Sequence, residues 1–191
     1  MRKFAFVVIK PDSIDSVIDI NILDEMEKHG IQPLIRKFTL LSGEDVDKIY
    51  PEKKDRVYFD RLKQFFASGQ SLCMVVKTVN DEDVELTIRN FKEYIRKKYA
   101  VANHLLSETD RSLYEKGIHP KQEEITEKLS FRNIIHSTSD PAIVGSSIKR
   151  IFSENEMLEL RGEFPDLYNL WYKSEPHNEL VPLSEYRIKI R

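Results

Sequence analysis

Length, composition and charge exclude several classes of protein. The chain has 191 residues, of which 40% are hydrophobic and 32% are charged, and its net charge at pH 7 is −2. These values predict one compact domain with a full-sized core, and they exclude disorder over most of the chain. The near-neutral charge excludes a strongly basic nucleic-acid binder, so no specific nucleic acid is expected as a partner.

The single cysteine and the short apolar runs bear on the cellular compartment. Cys73 has no second cysteine to pair with, which fits a reducing compartment, and we expect it to be a small buried core residue. The first apolar run, residues 4–9, is too short for a signal peptide. No run approaches the roughly 20 residues that a membrane span requires. We therefore expect a soluble, cytoplasmic protein.

The first half of the chain alternates apolar runs with helical patterns. Gly30 stands where a helix C-cap glycine is expected, Pro33 interrupts the next apolar run, and Ser68-Gly69 closes a helical pattern. The predicted elements are, in order, a strand over 4–9, a helix over about 13–29, a strand over 31–41, helices over 44–50 and about 58–66, and a strand over 72–79.

The second half contains one long segment without periodicity. The predicted elements are a helix over about 80–95, a polar loop over about 100–128, a strand over 131–136 and a helix over 141–152 that begins just after Asp140. Residues 153–191 form an extension rich in apolar and aromatic side chains. We expect a domain over 1–152, with the extension packed on that domain or on a neighbouring subunit.

The order of these elements is β-α-β-α-α-β-α-loop-β-α. Strands separated by helices in this order predict an α+β fold of the ferredoxin-like type, an α/β sandwich with a four-stranded antiparallel sheet and additional helices. The sequence contains no glycine-rich phosphate loop and no CxxC or HExxH pattern for zinc. Any nucleotide must therefore be held by side chains.

Three motifs in the correct order resemble the nucleoside diphosphate kinase family. The apolar strand that ends in Lys10-Pro11-Asp12 resembles the family's opening strand, and Ser68-Gly69 is similar to its Ser-Gly-Pro turn. Residues 132–136, Arg-Asn-Ile-Ile-His, resemble its Arg-Asn-x-x-His active-site strand. Each motif alone has low specificity, whereas the three together are fairly specific. The resemblance covers residues 3–152.

The resemblance implies a ping-pong phosphoryl transfer through His136. A nucleoside triphosphate would phosphorylate His136, and the phosphohistidine would then phosphorylate a nucleoside diphosphate with Mg²⁺ as the cofactor. A neutral imidazole is an available nucleophile near pH 7, and a strand end on a rigid scaffold can position it. Taken in isolation, His136 would instead be interpreted as a structural strand histidine.

The resemblance also implies roles for other side chains, each of which has an ordinary structural alternative. Lys10 and Tyr50 would complete the catalytic group with His136. The remaining assignments are nucleotide binding by Lys10, Arg56, Tyr58, Arg96 and Asn133, and an indirect contact of Glu52 with the metal through water. The alternatives are a strand-end lysine, core tyrosines, surface ion pairs, a capping asparagine and a solvated glutamate. Arg89 lies two helical turns before Arg96 on the same side, so either arginine could reach a phosphate.

Several positions depart from the family pattern. Ala102 replaces a threonine, and Ser147 replaces the glutamate that supports the histidine. The loop over 103–128 is longer than usual and lacks the Ile-Arg-Gly-Asp motif, which carries a second phosphate-binding arginine. The candidates to replace this arginine are Arg111, His119 and Lys121. Loss of such a charge costs on the order of 10²–10³ in rate.

These departures leave two alternatives to a normally active kinase. One is a catalytically weakened or inactive relative that binds nucleotides, and the other is a scaffold in which the fold serves assembly. The expected partners are nucleoside di- and triphosphates and further copies of the chain, in a hexamer, tetramer or dimer. Base preference and oligomer size stay open at this point.

Overall fold

The computed structural model describes residues 2–80, 83–101 and 132–174, together with residues 108, 109, 112 and 116. Most of the predicted loop over 100–128 lies outside these residues, including Ala102, Arg111, His119 and Lys121. Residues 175–191 of the predicted extension lie outside them as well. No helix in the described part of the chain is long and apolar enough to cross a membrane.

Four strands form one antiparallel sheet. They are β1 (Ala5–Ile9), β2 (Ile31–Thr39), β3 (Ser71–Thr78) and β4 (Ile135–Thr138), in the spatial order β2-β3-β1-β4. Each neighbouring pair is antiparallel, and a bulge between Pro33 and Ile35 accommodates the proline in β2. The sheet confirms the predicted α+β, ferredoxin-like class.

Eight α-helices pack around the sheet in the described residues. They are α1 (Pro11–Ile14), α2 (Asp19–Lys28), α3 (Gly43–Ile49), α4 (Phe59–Ala67), α5 (Val84–Ile95), α6 (Pro141–Ile151), α7 (Glu154–Leu160) and α8 (Pro165–Lys173). A 3₁₀ turn over Pro51–Lys53 follows α3, and a π-helical segment over Arg96–Val101 continues α5.

The predicted single helix over 13–29 is wrong. The chain forms α1, turns through residues 15–18 and then begins α2 at Asp19. Val17 adopts a left-handed φ of 58°, and the backbone N–H of Ile18 donates to the carbonyl of Ser13 at 2.9 Å. The four-residue spacing of isoleucines continues across this break, because the turn brings α2 back onto the same face of the sheet.

The predicted strand over 131–136 begins later than expected, at Ile135. Ile134 adopts a φ of 72°, a conformation that is rare for a β-branched residue and cannot continue a strand. The regular strand therefore occupies Ile135–Thr138, which carries His136 one residue into the strand.

The two faces of the sheet bury two separate clusters. Side chains alternate along a strand, so Phe6 and Val8 of β1 face one cluster while Val7 and Ile9 face the other. The first cluster, called here the front core, includes side chains from α3, α4, α6, α7 and α8. The second, the back core, includes side chains from α2 and α5. The functional residues described next meet at the edge of the front core.

The C-terminal helices α7 and α8 pack on the front core. Met157, Leu167 and Trp171 are buried there, and the Lys149 ammonium lies 3.6 Å from the centre of the Trp171 ring. Gly145 of α6 allows α8 to approach closely, because a Cβ at this position would lie 3.3 Å from the Leu170 carbonyl oxygen. Residues 154–173 are therefore packed on the front core of the same chain.

Candidate active site

The sheet register places Lys10 and His136 on the same face. Val8 of β1 lies opposite His136 of β4 and opposite Cys73 of β3. Lys10 comes two residues after Val8 in extended backbone, so its side chain also points to the front-core face. Short segments that are distant in sequence thus bring an amine and an imidazole to one edge of the front core.

Lys10 is almost completely buried, with 1% of its surface exposed. Its Nζ donates to Oδ1 of Asn133 at 2.5 Å and lies 5.8 Å from the centre of the Tyr50 ring. Burial, and next the charge of Arg96, hold the pKa of Lys10 well below its ordinary value, while Asp12 opposes this shift. The structure thus brings together three predicted site residues: Lys10, Tyr50 and Asn133.

The left-handed backbone at Ile134 is held by hydrogen bonds to the segment that follows β1. The Ile134 N–H donates to Oδ2 of Asp12 at 3.1 Å, and the Ile134 carbonyl accepts from the Lys10 N–H at 2.8 Å and the Ser13 hydroxyl at 3.2 Å. Strained backbone of this kind persists only where its surroundings fix it. The carboxylate of Asp12 is therefore a positioning group for residues 133–136, a role that the motif alone did not reveal.

The rings of Tyr50 and His136 are in contact, with centroids 4.0 Å apart and planes inclined by 41°. The capping box of Ser42 and Asp45 begins α3, whose end carries Tyr50 to this point. The Tyr50 hydroxyl and Nε2 of His136 are both buried without a hydrogen-bond partner among the described residues. Of the two imidazole nitrogens, Nε2 is therefore closed to an external ligand.

Burial and neighbouring cations keep His136 neutral. Desolvation lowers the pKa of His136 well below its ordinary value, and the charges of Lys10, Lys92, Arg96 and Lys53 lower it further. Burial also raises the pKa of the Tyr50 phenol well above its ordinary value. At neutral pH the site therefore contains an uncharged imidazole beside a protonated phenol, surrounded by positive charge.

Arg96 and Arg89 occupy different places beside β4, the outermost strand of the described sheet. Arg96 begins the π-helical segment, donates from Nη2 to the carbonyl of Ile135 at 3.0 Å, and pairs with Glu93 at 3.4 Å. Its Nε is buried without a partner in the described part of the chain. Arg89 is exposed and lines a cavity of about 210 Å³ beside Thr138. Of the two arginines, Arg96 is therefore the one that contacts Ile135, the residue directly before His136.

The three remaining predicted residues lie further out. Glu52 and Arg56 are exposed, and Tyr58 is half-buried directly before α4, where it packs against the front core. Glu52 belongs to the 3₁₀ turn that directly follows Tyr50. Within the described residues, no group of three His, Cys, Asp or Glu side chains could hold a metal by itself.

Ser147, the residue that the motif comparison places at the family's supporting glutamate, is completely buried in α6. Its Oγ forms no hydrogen bond with any residue that the structure describes. The His136 Nε2 likewise has no hydrogen-bond partner in the described part of the chain. An unpartnered buried polar group is costly, so this is a distinctive feature of the site.

The fold and the site define an α+β protein in which a neutral histidine at a strand edge faces a group of cations. The sequence profile of the nucleoside diphosphate kinase family matches residues 3–157. The chain therefore belongs to the nucleoside diphosphate kinase family.

Two archaeal relatives agree with this membership. The nucleoside diphosphate kinase of Ignicoccus hospitalis is 24% identical over 154 residues, which cover 81% of this chain and 91% of the relative. That of Methanocaldococcus jannaschii is 24% identical over 159 residues, which cover 83% of this chain and 99% of the relative.

Solved structures show the same fold. The nucleoside diphosphate kinase of Halobacterium salinarum in complex with CDP has a TM-score of 0.54 at 20% identity and covers 82% of this chain and 91% of its own. The Aquifex aeolicus enzyme has a TM-score of 0.51 at 20% identity, with 81% of this chain and 97% of its own covered.

Proposed function

We propose that this protein is a nucleoside diphosphate kinase that transfers the γ-phosphate of a nucleoside triphosphate to a nucleoside diphosphate through His136. The observation that carries the proposal is the neutral imidazole of His136, which lies against Tyr50 at the edge that Lys10 and Arg96 also approach. A neutral imidazole has the lone pair that attack on phosphorus requires.

The proposed reaction has two symmetric steps. Nδ1 of His136 forms a bond to the γ-phosphorus, the bond from that phosphorus to the β–γ bridging oxygen breaks, and the nucleoside diphosphate leaves. A terminal oxygen of a second nucleoside diphosphate then attacks the phosphohistidine, and the bond from phosphorus to Nδ1 breaks. The charges of Lys10 and Arg96 would stabilise the negative phosphate oxygens during both transfers.

Three further residues are proposed to contact the nucleotide: Tyr58, Arg56 and Asn133. The half-buried ring of Tyr58 offers a face on which a base can stack, and the exposed guanidinium of Arg56 can reach a phosphate. Asn133, which is bonded to Lys10, would bind the ribose and phosphate side of the nucleotide. The Halobacterium salinarum relative, solved with CDP, supports nucleoside diphosphates as ligands.

Mg²⁺ is the proposed cofactor, and the residues present fit this ion. Magnesium in nucleotide sites is held mostly by phosphates and water, with one or two protein carboxylates. The exposed Glu52, in the turn after Tyr50, is a carboxylate that could reach the hydrated ion through water. When bound, the ion would neutralise charge on the β- and γ-phosphates.

Labelling with γ-labelled ATP tests the proposal directly. We expect the full-length protein to take up acid-labile, base-stable label and to pass it to an added nucleoside diphosphate. His136→Ala should take up none while keeping its thermal stability and its fold by circular dichroism. Acid-labile label that persists in a folded His136→Ala protein would contradict the assignment of the nucleophile.

A second candidate is a nucleotide-binding relative with weakened turnover. Attack by Nδ1 requires the tautomer whose ring proton is on Nε2, and no hydrogen-bond acceptor for this proton is present among the described residues. We attribute this lack to Ser147 at the position where the family has a glutamate. Under this alternative, calorimetry would detect nucleotide binding, whereas labelled His136 would accumulate too slowly for steady exchange. Rapid exchange between triphosphates and diphosphates would exclude it.

The proposed assembly is a homo-oligomer of hexameric, tetrameric or dimeric size. Family membership supports association of subunits. Light scattering on the full chain would give the mass, and a monomer at micromolar concentration would contradict this part of the proposal.

A further inference from the structure

The π-helical segment Arg96–Val101 begins with an arginine that reaches the strand of His136. Arg96 donates from Nη2 to the carbonyl of Ile135, directly before His136, at 3.0 Å. A π-helical turn is rare in proteins and occurs frequently at functional sites. The position of the Arg96 guanidinium therefore depends on how this segment is held after α5 ends.

Lys98 ties the π-helical segment to α2. Its Nζ donates to Oε1 of Glu25, on α2, at 3.1 Å and to the hydroxyl of Tyr94, on α5, at 3.0 Å. The ammonium also lies 5.4 Å from the centre of the Tyr94 ring and 5.3 Å from that of Tyr99. One side chain thus connects the segment to two helices.

The acceptor of these bonds, Glu25, is a buried carboxylate with 7% of its surface exposed. Its Oε2 accepts from the Tyr94 hydroxyl at 2.8 Å, and its Oε1 accepts from both Lys98 and Lys28. Hydrogen bonds to a charged group are strong and directional. A buried carboxylate with three donors therefore fixes the geometry of the groups that it binds.

Lys28 and Lys98 bind the same carboxylate oxygen but connect different parts of the chain. Lys28 belongs to α2 and lies three residues after Glu25, so its bond of 3.2 Å stays within one helix. Lys98 lies 73 residues from Glu25, so its bond joins two elements. A comparison of the two lysines therefore separates compensation of the Glu25 charge from attachment of the π-helical segment.

This attachment is remote from the reacting atoms. Glu25 lies on α2, which packs on the back core, whereas His136 lies opposite Val8, whose side chain belongs to the front core. Lys98 is therefore placed to act through Arg96, two residues before it, rather than by contact with a ligand at His136.

We propose that Lys98, bound to Glu25 and Tyr94, is a positioning residue that holds the π-helical segment so that Arg96 reaches Ile135 beside His136. The effect on phosphoryl transfer rests on the proposed function. The placement of Arg96 can be measured without any nucleotide.

Amide hydrogen exchange on the full-length protein tests the attachment. In Lys98→Gln the backbone amides of Arg96–Val101 should exchange about tenfold faster or more, as expected for loss of a hydrogen bond to a charged group. Lys28→Gln is the matched control and should exchange in this segment at the wild-type rate. Lys98→Arg keeps the charge and the donors, so it should remain close to the wild-type protein.

An NMR titration of His136 reports on the position of Arg96. Burial, and then the charges of Lys10, Lys92 and Arg96, lower the pKa of His136. If Arg96 moves away in Lys98→Gln, the pKa of His136 should rise, because a repelling charge is lost. A merely structural contribution of Lys98 to stability would leave this pKa unchanged.

Single-turnover labelling with γ-labelled ATP measures the consequence for transfer. Lys98→Gln should phosphorylate His136 about tenfold more slowly, because Arg96 no longer stabilises the phosphate charge, whereas Lys28→Gln should keep the wild-type rate. Tyr94→Phe removes the hydroxyl that binds both Glu25 and Lys98. It should shift all three measurements in the same direction.

The two proposals fail in different ways. A Lys98→Gln protein that loses thermal stability but matches Lys28→Gln in the pKa of His136 would overturn the positioning role. Faster exchange of the segment without a change at His136 would overturn it as well. If the wild-type protein takes up no label, the kinase proposal fails, and the positioning role is decided by exchange and titration alone.

Discussion

The Tyr50 ring contacts the His136 ring at 4.0 Å, although the two residues lie on different layers of the fold. Tyr50 ends α3, whereas His136 lies on the edge strand β4. The contact covers one side of the imidazole, and His136 as a whole is half-buried. It therefore contributes both to the rigidity of the histidine and to its low basicity.

The Tyr50→Phe variant distinguishes the contribution of the ring from that of the hydroxyl. The ring contact is kept, and the lost hydroxyl is buried without a partner among the described residues, so we expect the free energy of unfolding to change by less than about 1 kcal/mol. If this hydroxyl donates to a phosphate oxygen in the complex, the rate of His136 phosphorylation should fall by about tenfold or more. Single-turnover labelling measures this rate.

Tyr50→Ala is the companion variant. It also removes the ring and should destabilise the protein by about 3–5 kcal/mol, the range known for deletion of a buried aromatic side chain. A Tyr50→Phe protein that labels His136 at the wild-type rate would show that the hydroxyl has no role in transfer.

Ser147→Glu would introduce a carboxylate at the position that the motif comparison matches to the family's supporting glutamate. A negative charge near His136 stabilises the imidazolium, so the pKa of His136 should rise toward its ordinary value. Orientation of the ring by the carboxylate should also speed phosphorylation of His136. NMR titration and labelling measure the two effects.

Ser147→Ala is the matched control, since it removes a hydroxyl without a described partner and adds no charge. It should leave the pKa of His136 and the labelling rate unchanged. If a folded Ser147→Glu protein behaves like this control, position 147 does not communicate with the imidazole.

Gly145→Ala should weaken the attachment of α8. A Cβ at this position would lie 2.1 Å from the Ser174 hydroxyl oxygen and 3.3 Å from the Leu170 carbonyl oxygen. Overpacking of this kind costs about 1–3 kcal/mol, whereas alanine in a helix interior otherwise gains up to about 1 kcal/mol over glycine. Urea denaturation should therefore show net destabilisation.

The same substitution in a Ser174→Ala background provides the control. The shortest contact then disappears, and the next contact to that side chain, at 3.4 Å, is ordinary. The cost of Gly145→Ala should shrink to near zero or reverse sign. An equal cost in both backgrounds would place the strain elsewhere in the α6–α8 contact.

The hydrogen bonds of the Glu25 carboxylate predict that the folded protein loses stability in acid. Its carboxylate accepts from the Tyr94 hydroxyl at 2.8 Å, from Lys98 at 3.1 Å and from Lys28 at 3.2 Å, and thereby connects α2 to α5 and the following π-helical segment. These hydrogen bonds, that of Tyr94 first, lower the pKa of Glu25 to about 2. Because the folded pKa is depressed, the stabilisation is present above the ordinary pKa and is lost as the pH falls toward 2.

Glu25→Gln should therefore be less stable than the wild-type protein at pH 7, with a difference that narrows between pH 5 and pH 2. Glu27→Gln, which changes an exposed carboxylate on the same helix, is the control and should follow the wild-type curve. Denaturant titrations at several pH values measure the difference. A constant gap across this range would refute the linkage.

Local sequence was sufficient to predict most of the fold. Apolar runs and helical spacing predicted four strands and the helices between them, because side-chain periodicity reflects which face of an element is buried. The two errors in the elements have a common cause. Val17 and Ile134 adopt left-handed backbone, and a β-branched residue gives no local signal for such a turn.

Ile134 shows most clearly what the sequence could not reveal. Its conformation depends on hydrogen bonds to Lys10, Asp12 and Ser13, which are more than a hundred residues away in the chain. Only the antiparallel pairing of β1 with β4 brings these groups together. The motif identified His136 and Lys10 as candidates, but it contained no information on the turn that holds them in place.

By itself, the sequence determined the family, the fold class and the identity of the candidate nucleophile, since each depends on residue types at short spacing. Tertiary structure alone decided the neutrality of His136 and the burial of its Nε2 without a hydrogen-bond partner among the described residues. The physical reason is that desolvation and Coulomb interactions depend on distance through space, which a linear pattern does not encode.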